Sequence, residues 1–194
     1  FVARMIEQSR RLQALLDDLL TLSRLENLEE RPHPEPVDLM PILRRAVEVV
    51  EEPARTREVE VLLQEPIAPP PPVSGDRESL ERLATNLLDN AVKYNREGGR
   101  VAVTVELPDE PEELVLEVAD TGIGIPEDSV PRIFERFYRV DKGRARDEGG
   151  TGLGLAIVKH VAQSGGGRVE VESELGVGTV FRVHLPLAPV AHGD

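Results

Sequence analysis

The stretch "RVAVTVELPDEPEELVLEVADTGIGIP", residues 100–126, decides the fold. Val101, Val103 and Val105 alternate with polar or small residues, and Leu114, Leu116 and Val118 keep the same spacing in its second half. A period of two belongs to strands with one buried face. The polar turn "PDEPEE" between them is too short for anything but a reversal, so the two runs form an antiparallel hairpin. The second strand ends at Asp120 and enters "DTGIGIP", where Gly122 and Gly124 leave room for close approach to the backbone. Asp120 is a hydrogen-bond acceptor at a strand end, able to hold an exocyclic amino group. The same residues also describe a tight turn capped by an aspartate.

Working outward, Asp76 is placed to cap a helix running to about Tyr94, with Leu80, Leu83, Leu87, Leu88 and Val92 on its inner face. Before it, "PIAPPPPVSG" (66–75) is a stiff connector that cannot be helical, and "REVEVLLQE" (57–65) alternates as a strand. Asp38 caps a helix at about 39–51, preceded by the Pro-broken linker "EERPHPEPVD" (29–38). Downstream, a third helix is expected from about Thr151 to Gln163, followed by two alternating strands, "RVEVESE" and "TVFRVHLPL". This order predicts an α+β fold: a two-layer sandwich of a mixed, mostly antiparallel sheet with helices on one face. There is no internal repeat.

Residues 1–28 read as one long amphipathic helix ahead of that unit. Phe1, Met5, Leu12, Leu15, Leu19 and Leu22 keep four-three spacing, with Gln8 the one polar member, and Val2, Ile6, Leu16 and Leu20 add a second stripe. A stripe that wide is buried on two sides, as in a four-helix bundle. No second long helix is available in the chain, so a partner chain or another segment is expected to cover it.

Composition narrows the function. The 194 residues are 40% hydrophobic and 30% charged, as in globular proteins, with a net charge of -13. Such acidity repels nucleic-acid phosphates. The absence of cysteine excludes disulfides and thiolate metal sites. No run of about eighteen apolar residues is present to span a membrane. A start at Phe1 rather than Met points to a piece of a longer protein.

Four segments carry chemistry. In "NLLDNAVKYN" (86–95), Asn86, Asn90 and Lys93 share one helix face. Amide oxygens suit a hard cation and Lys suits a phosphate; the alternative is a solvated helix edge. In "GGTGLGLAIVK" (149–159) glycines lead into a helix, whose free N–H groups and dipole favour an anion. It is neither a Walker loop nor a dinucleotide fingerprint. Between them, "RIFERFYRVDKGRARDEGG" (132–150) joins the aromatics Phe134, Phe137 and Tyr138 to the cations Arg139, Lys142, Arg144 and Arg146. It reads as a lid over an anionic ligand or as an ordinary solvated loop. The four histidines (33, 160, 184 and 192) form no metal-ligand spacing and read as surface or edge residues.

Taken in order, "NLLDNAVKY", "DTGIGIP", "RIFERFY" and "GTGLGLAIVK", with the terminal "GVGTVFRVHLP", resemble the ATPase-kinase superfamily of histidine kinases, Hsp90, MutL and gyrase B. The resemblance covers about residues 36–187. In front, "RLQALLDDLLTLSRLE" resembles the second helix of a histidine kinase dimerisation domain. It implies a partial dimerisation helix at 1–30, a linker at 31–38, an ATP-binding catalytic domain at 39–188 and a tail at 189–194.

The resemblance also implies roles. Asn90 resembles the Mg2+ ligand, with Asn86 one turn before it beside the phosphates of ATP. Lys93 resembles a phosphate contact, and Tyr94 a cover for adenine or ribose. Asp120 resembles the carboxylate that reads the adenine amino group, with Gly122 and Gly124 lining its pocket. Gly150, Gly152, Leu153 and Gly154 resemble the hinge and phosphate cradle, Thr179 a second adenine-side contact, and Arg139 a candidate for the γ-phosphate. Hydrolytic members carry a Glu where Asn86 stands, and an amide cannot take a proton from water. That favours transfer to a histidine over hydrolysis in an Hsp90-like clamp, and the intact nucleotide motifs disfavour a module that only dimerises. None of the four histidines has the acidic neighbour of the family's phosphoacceptor, so the chain is expected to begin downstream of its own substrate. The implied partners are a second copy, through the first helix, and a cognate response regulator, with no nucleic acid. The implied location is cytoplasmic, with any inner-membrane anchor in other segments of the parent protein.

Overall fold

The computed structural model describes residues 2–26, 34–108, 112–140 and 150–189. Helix α1 (Val2–Glu26) is followed by β1 (Glu35–Val37), α2 (Leu39–Thr56), β2 (Glu60–Leu63), β3 (Val73–Gly75), α3 (Arg77–Lys93), β4 (Arg100–Glu106) and β5 (Glu113–Asp120). A short 3₁₀ helix (Glu127–Arg132), α4 (Gly154–Ser164), β6 (Arg168–Glu174) and β7 (Gly178–Pro186) complete the order. The expected α+β sandwich is present.

The hairpin is the centre of the sheet. β4 and β5 pair antiparallel with Val103 opposite Val118 and Val105 opposite Leu116. β7 adds to the far side of β5 and β6 to β7, both antiparallel, while β2 joins β4 in parallel, giving the order β2–β4–β5–β7–β6. Alternation puts Val101, Val103, Leu114, Leu116, Val118, Phe181, Val183 and Leu185 on one face, buried with the inner faces of α2, α3 and α4. The other face carries ion pairs: Arg182 to Glu117 at 2.7 Å and to Glu172 at 2.9 Å, and Arg168 to Glu113 at 2.6 Å. His184 belongs to this face, yet it is only 8% exposed, with Nδ1 at 2.6 Å from Glu113. It is covered by its charged neighbours rather than lying at an ordinary surface. No group of three or more acidic or histidine side chains could hold a metal among the described residues.

Both expected caps are present. Asp38 accepts from the Met40 amide at 3.0 Å, and Asp76 from the Ser79 amide at 2.8 Å. The five inner-face residues of α3 are all buried. α2 runs five residues beyond the expected 51 because Ala46, Val50 and Ala54 continue its buried stripe, and Pro53 falls in the last turn, where it disrupts little. Two short strands went unread: β1, inside the expected linker, pairs with β3, with Val37 opposite Val73. Three-residue strands beside prolines give no usable periodicity.

The apolar surface of α1 is divided. Leu22 is 3% exposed and joins the main core with the half-buried Leu15, in a helix packed against α4. Part of the stripe therefore has a partner within the chain, contrary to expectation. Met5, Leu12, Leu16, Leu19 and Leu20 remain exposed, Leu12 at 62% and Leu16 at 60%.

Candidate functional site

The site is assembled where the C-terminal half of α3 meets the loop after β5 and the glycine segment before α4. α3 is pinned by its leucines in the core, which turns Asn86 and Asn90 toward the start of α4 and Lys93 toward the glycine segment before it. A methyl group on Gly154, the first residue of α4, would lie 3.3 Å from Asn86 Oδ1 and 3.7 Å from Asn90 Nδ2. One on Gly150 would lie 2.9 Å from Lys93 Nζ, 3.3 Å from the Tyr94 hydroxyl and 3.7 Å from Arg139 Nη2. Lys93 sits over the Tyr94 ring, 5.4 Å from its centroid, and Arg139 Nη1 donates to the Gly150 carbonyl at 2.7 Å. Three segments far apart in the chain thus bring two amides, an ammonium, a phenol and a guanidinium to one glycine-lined wall.

The glycine segment is not helical from Thr151 as the periodicity predicts. Gly152 takes φ of +73°, with the backbone of Phe137 2.9 Å from where a Cβ would stand, and so delays α4 to Gly154. Thr151 Oγ1 accepts from the Leu153 amide at 3.2 Å, and the Leu153 side chain is buried in the core. Leu153 therefore anchors the segment, while Gly154 faces the two amides and Gly150 faces Lys93, Tyr94 and Arg139. Lys142, Arg144 and Arg146 of the expected lid lie outside the described residues.

At the other end of the site, Asp120 Oδ1 accepts from the Gly122 amide at 2.8 Å, and the carboxylate also receives the Thr179 backbone amide. Burial raises the Asp120 pKa above the usual aspartate value, the two amide bonds working against that shift. Gly122 packs against the Tyr94 carbonyl and Gly124 against the Glu174 carbonyl, so neither place admits a side chain. Thr179 is directly opposite Asp120 in the sheet. Among the sequence-derived residues, Asn86, Asn90, Lys93, Tyr94, Arg139, Gly150 and Gly154 therefore gather at one end, and Asp120, Gly122, Gly124 and Thr179 at the other. The two ends are joined at Tyr94, whose carbonyl accepts from the Ile123 amide at 3.0 Å.

Two positioning residues escaped the sequence reading. Asn95 Nδ2 donates to the Ala91 and Arg100 carbonyls, both at 3.1 Å, tying the end of α3 to β4. Arg57, just past α2, donates to the Lys93 carbonyl at 3.0 Å. Asn95 stands directly after the helix and is legible as a capping amide; Arg57 lies 36 residues from its partner, and no local pattern reveals it.

A chemical feature tests the fit of Mg-ATP here. Asn86 Nδ2 is buried without a hydrogen-bond partner among the described residues. Leaving such a donor unmade costs about 1–3 kcal/mol, which a phosphate oxygen would recover. An unsatisfied donor beside a glycine-lined helix start suits an anion.

Residues 75–189 match the model of the histidine kinase-, DNA gyrase B- and HSP90-like ATPase family. The chain belongs to this family. Within it, the sensor-like histidine kinase SenX3 of Mycolicibacterium smegmatis is 37% identical over the whole of this chain and 50% of its own length. The phosphate regulon sensor protein PhoR of Pseudomonas aeruginosa is 37% identical over 98% of this chain and 42% of its own. The chain thus spans half or less of these relatives. Among solved structures, full-length ShkA in complex with AMPPNP superposes with a TM-score of 0.82 at 33% identity, over 98% of this chain and 39% of that one. The mycobacterial sensor histidine kinase MprB gives 0.66 at 36% identity, with 82% of this chain covering all of that one. The family member described here is a catalytic ATPase domain of the sensor histidine kinase type, and no described helix is long and apolar enough to cross a membrane.

Proposed function

We propose that this chain binds Mg-ATP and transfers its γ-phosphoryl group to a histidine on a dimerisation domain, for relay to a response regulator. The observation that carries the reading is the approach of Asn86 and Asn90 to Gly154, with a buried amide donor left over for a phosphate. The bound nucleotide would supply the transferable phosphoryl group. Asn90 would hold Mg2+ through its amide oxygen, the rest of the coordination coming from phosphates and water, as Mg2+ prefers. Lys93 and Arg139 would neutralise the charge that spreads over the transferred group. Asp120 would accept from the adenine amino group, and Tyr94 would cover the base or sugar. Asn86 cannot act as a base toward water, which reserves the site for transfer.

The proposed boundaries are a dimerisation helix over 1–30, a linker over 31–38 and a catalytic domain over 39–188. The exposed leucines of α1 would seat a second copy, since an exposed apolar stripe of this kind marks an interface. The domain would work in the cytoplasm, any anchor belonging to other segments of the parent protein.

The test is calorimetry with ATP in the presence and absence of Mg2+. Binding that weakens on chelation, and weakens again in Asn90→Ala, is the expected result. No heat at millimolar nucleotide would overturn the reading.

A further inference from the structure

Three residues at one end of the main sheet form a row across neighbouring strands. Asp120 on β5 stands opposite Thr179 on β7, and Thr179 stands opposite Ser173 on β6. Directly opposed residues of antiparallel strands project from the same face. Two positions along each strand lie Val118, Phe181 and Val171, all packed in the core, so the row shares the helix-covered face. Asp120 and Thr179 form one end of the candidate site; Ser173 is one strand further out.

The Ser173 hydroxyl makes three contacts. It lies 2.8 Å from the Ile125 amide, 3.0 Å from the Gly178 carbonyl and 2.9 Å from Thr179 Oγ1. A hydroxyl has one proton and two lone pairs. The Ile125 amide can only donate, and the Gly178 carbonyl can only accept. Ser173 therefore gives its proton to Gly178 and takes the Ile125 amide on one lone pair. All three contacts are satisfied only if Thr179 donates its proton to the second lone pair. The Thr179 proton is then committed to Ser173, on the opposite side from Asp120. Thr179 is 5% exposed, so water offers little competition for that proton.

We infer that Ser173, without itself touching nucleotide, is a specificity-determining positioning residue that makes the Asp120–Thr179 end of the site present hydrogen-bond acceptors only. Such an end selects a base whose edge donates, as the amino group of adenine does, and rejects a purine with a carbonyl at that place. The inference rests on the proposed adenine-nucleotide reading of this site. Removing the Ser173 hydroxyl releases the Thr179 proton, which then rotates to donate into the site or to Asp120. Either change erodes the preference for a donating edge.

Affinities for ATP and inosine triphosphate, measured by calorimetry on the full chain, test this. The parent chain is expected to prefer ATP. Ser173→Ala should narrow the ATP-to-ITP ratio by about 3- to 10-fold, the value of one hydrogen bond. Ser173→Thr, which keeps the hydroxyl, should hold the parent ratio. Adding Ser173→Ala to Thr179→Val should leave the ratio where Thr179→Val alone puts it. A purely structural role for Ser173 would lower both affinities together, and that constant ratio overturns the inference while leaving the adenine reading intact. A parent chain without preference for ATP overturns the adenine reading, and the inference with it. Should Ser173→Ala not fold, Ser173→Cys, a weak donor and acceptor of similar shape, should narrow the ratio less but in the same direction.

Discussion

Thr151 Oγ1 donates a 2.9 Å hydrogen bond to Asp18 Oδ2, linking the first helix to the glycine segment 133 residues away. Arg82 of α3 reaches the same place, with Nη1 3.3 Å from the Asp17 carbonyl and 3.8 Å from Asp18 Oδ1. Burial raises the Asp18 pKa above its ordinary value, with Thr151 and Arg82 opposing the shift. A carboxyl whose folded value exceeds its unfolded one favours folding when protonated and disfavours it when ionised. Its penalty therefore appears as pH rises through the folded value. Asp18→Asn keeps an acceptor for Thr151 and carries no charge. We predict that this variant melts above the parent chain at pH 7 and that the gap closes as pH falls toward 4. Thermal unfolding across that range checks it; a pH-independent gap would count against burial as the cause.

The two faces of α1 should respond differently to truncation. Leu22→Ala opens a cavity in the shared core and should destabilise by about 2–5 kcal/mol. A Leu16→Glu, Leu20→Glu pair alters side chains that are mostly exposed. It should leave the melting temperature nearly unchanged while abolishing self-association in light scattering, because exposed apolar patches mark interfaces. Nucleotide binding should survive the pair.

Asp120 gives a pH prediction of its own. Its carboxylate must be ionised to act purely as an acceptor, and burial raises its pKa. ATP affinity should therefore begin to fall at a pH above the usual aspartate range. Asp120→Asn, which brings a donor to the same place, should lose roughly 5- to 150-fold in ATP affinity and gain relative affinity for GTP. Normal ATP binding by this variant, or equal binding of GTP by the parent, would sink the assignment.

The chain should bind ATP yet not label itself. His160 and His184 lie on α4 and β7, and His184 is held by Glu113 on the sheet face away from the nucleotide motifs. His33 and His192 lie outside the described residues. Incubation with γ-labelled ATP and a separate fragment bearing the first dimerisation helix should put acid-labile label on the fragment, lost in Asn90→Ala. Acid-labile label on this chain alone would make one of its own histidines the acceptor.

The local elements were legible because short-range chemistry dictates them. Alternation in 100–120 produced the central hairpin, Asp38 and Asp76 capped the helices they precede, and the leucine spacing of α3 fixed which face points inward. With that face set, the direction of Asn86, Asn90 and Lys93 followed from the helical repeat alone. What tertiary structure alone decided depends on partners remote in sequence. Arg57 on the Lys93 carbonyl, the Ile125 amide on Ser173 and Asp18 on Thr151 have no local signature, since each is made by elements that packing brings together. The same holds for the division of the α1 stripe. Periodicity says that Leu22 and Leu16 want to leave water, but only the docking of the helix on α4 decides that Leu22 does so within this chain and Leu16 does not.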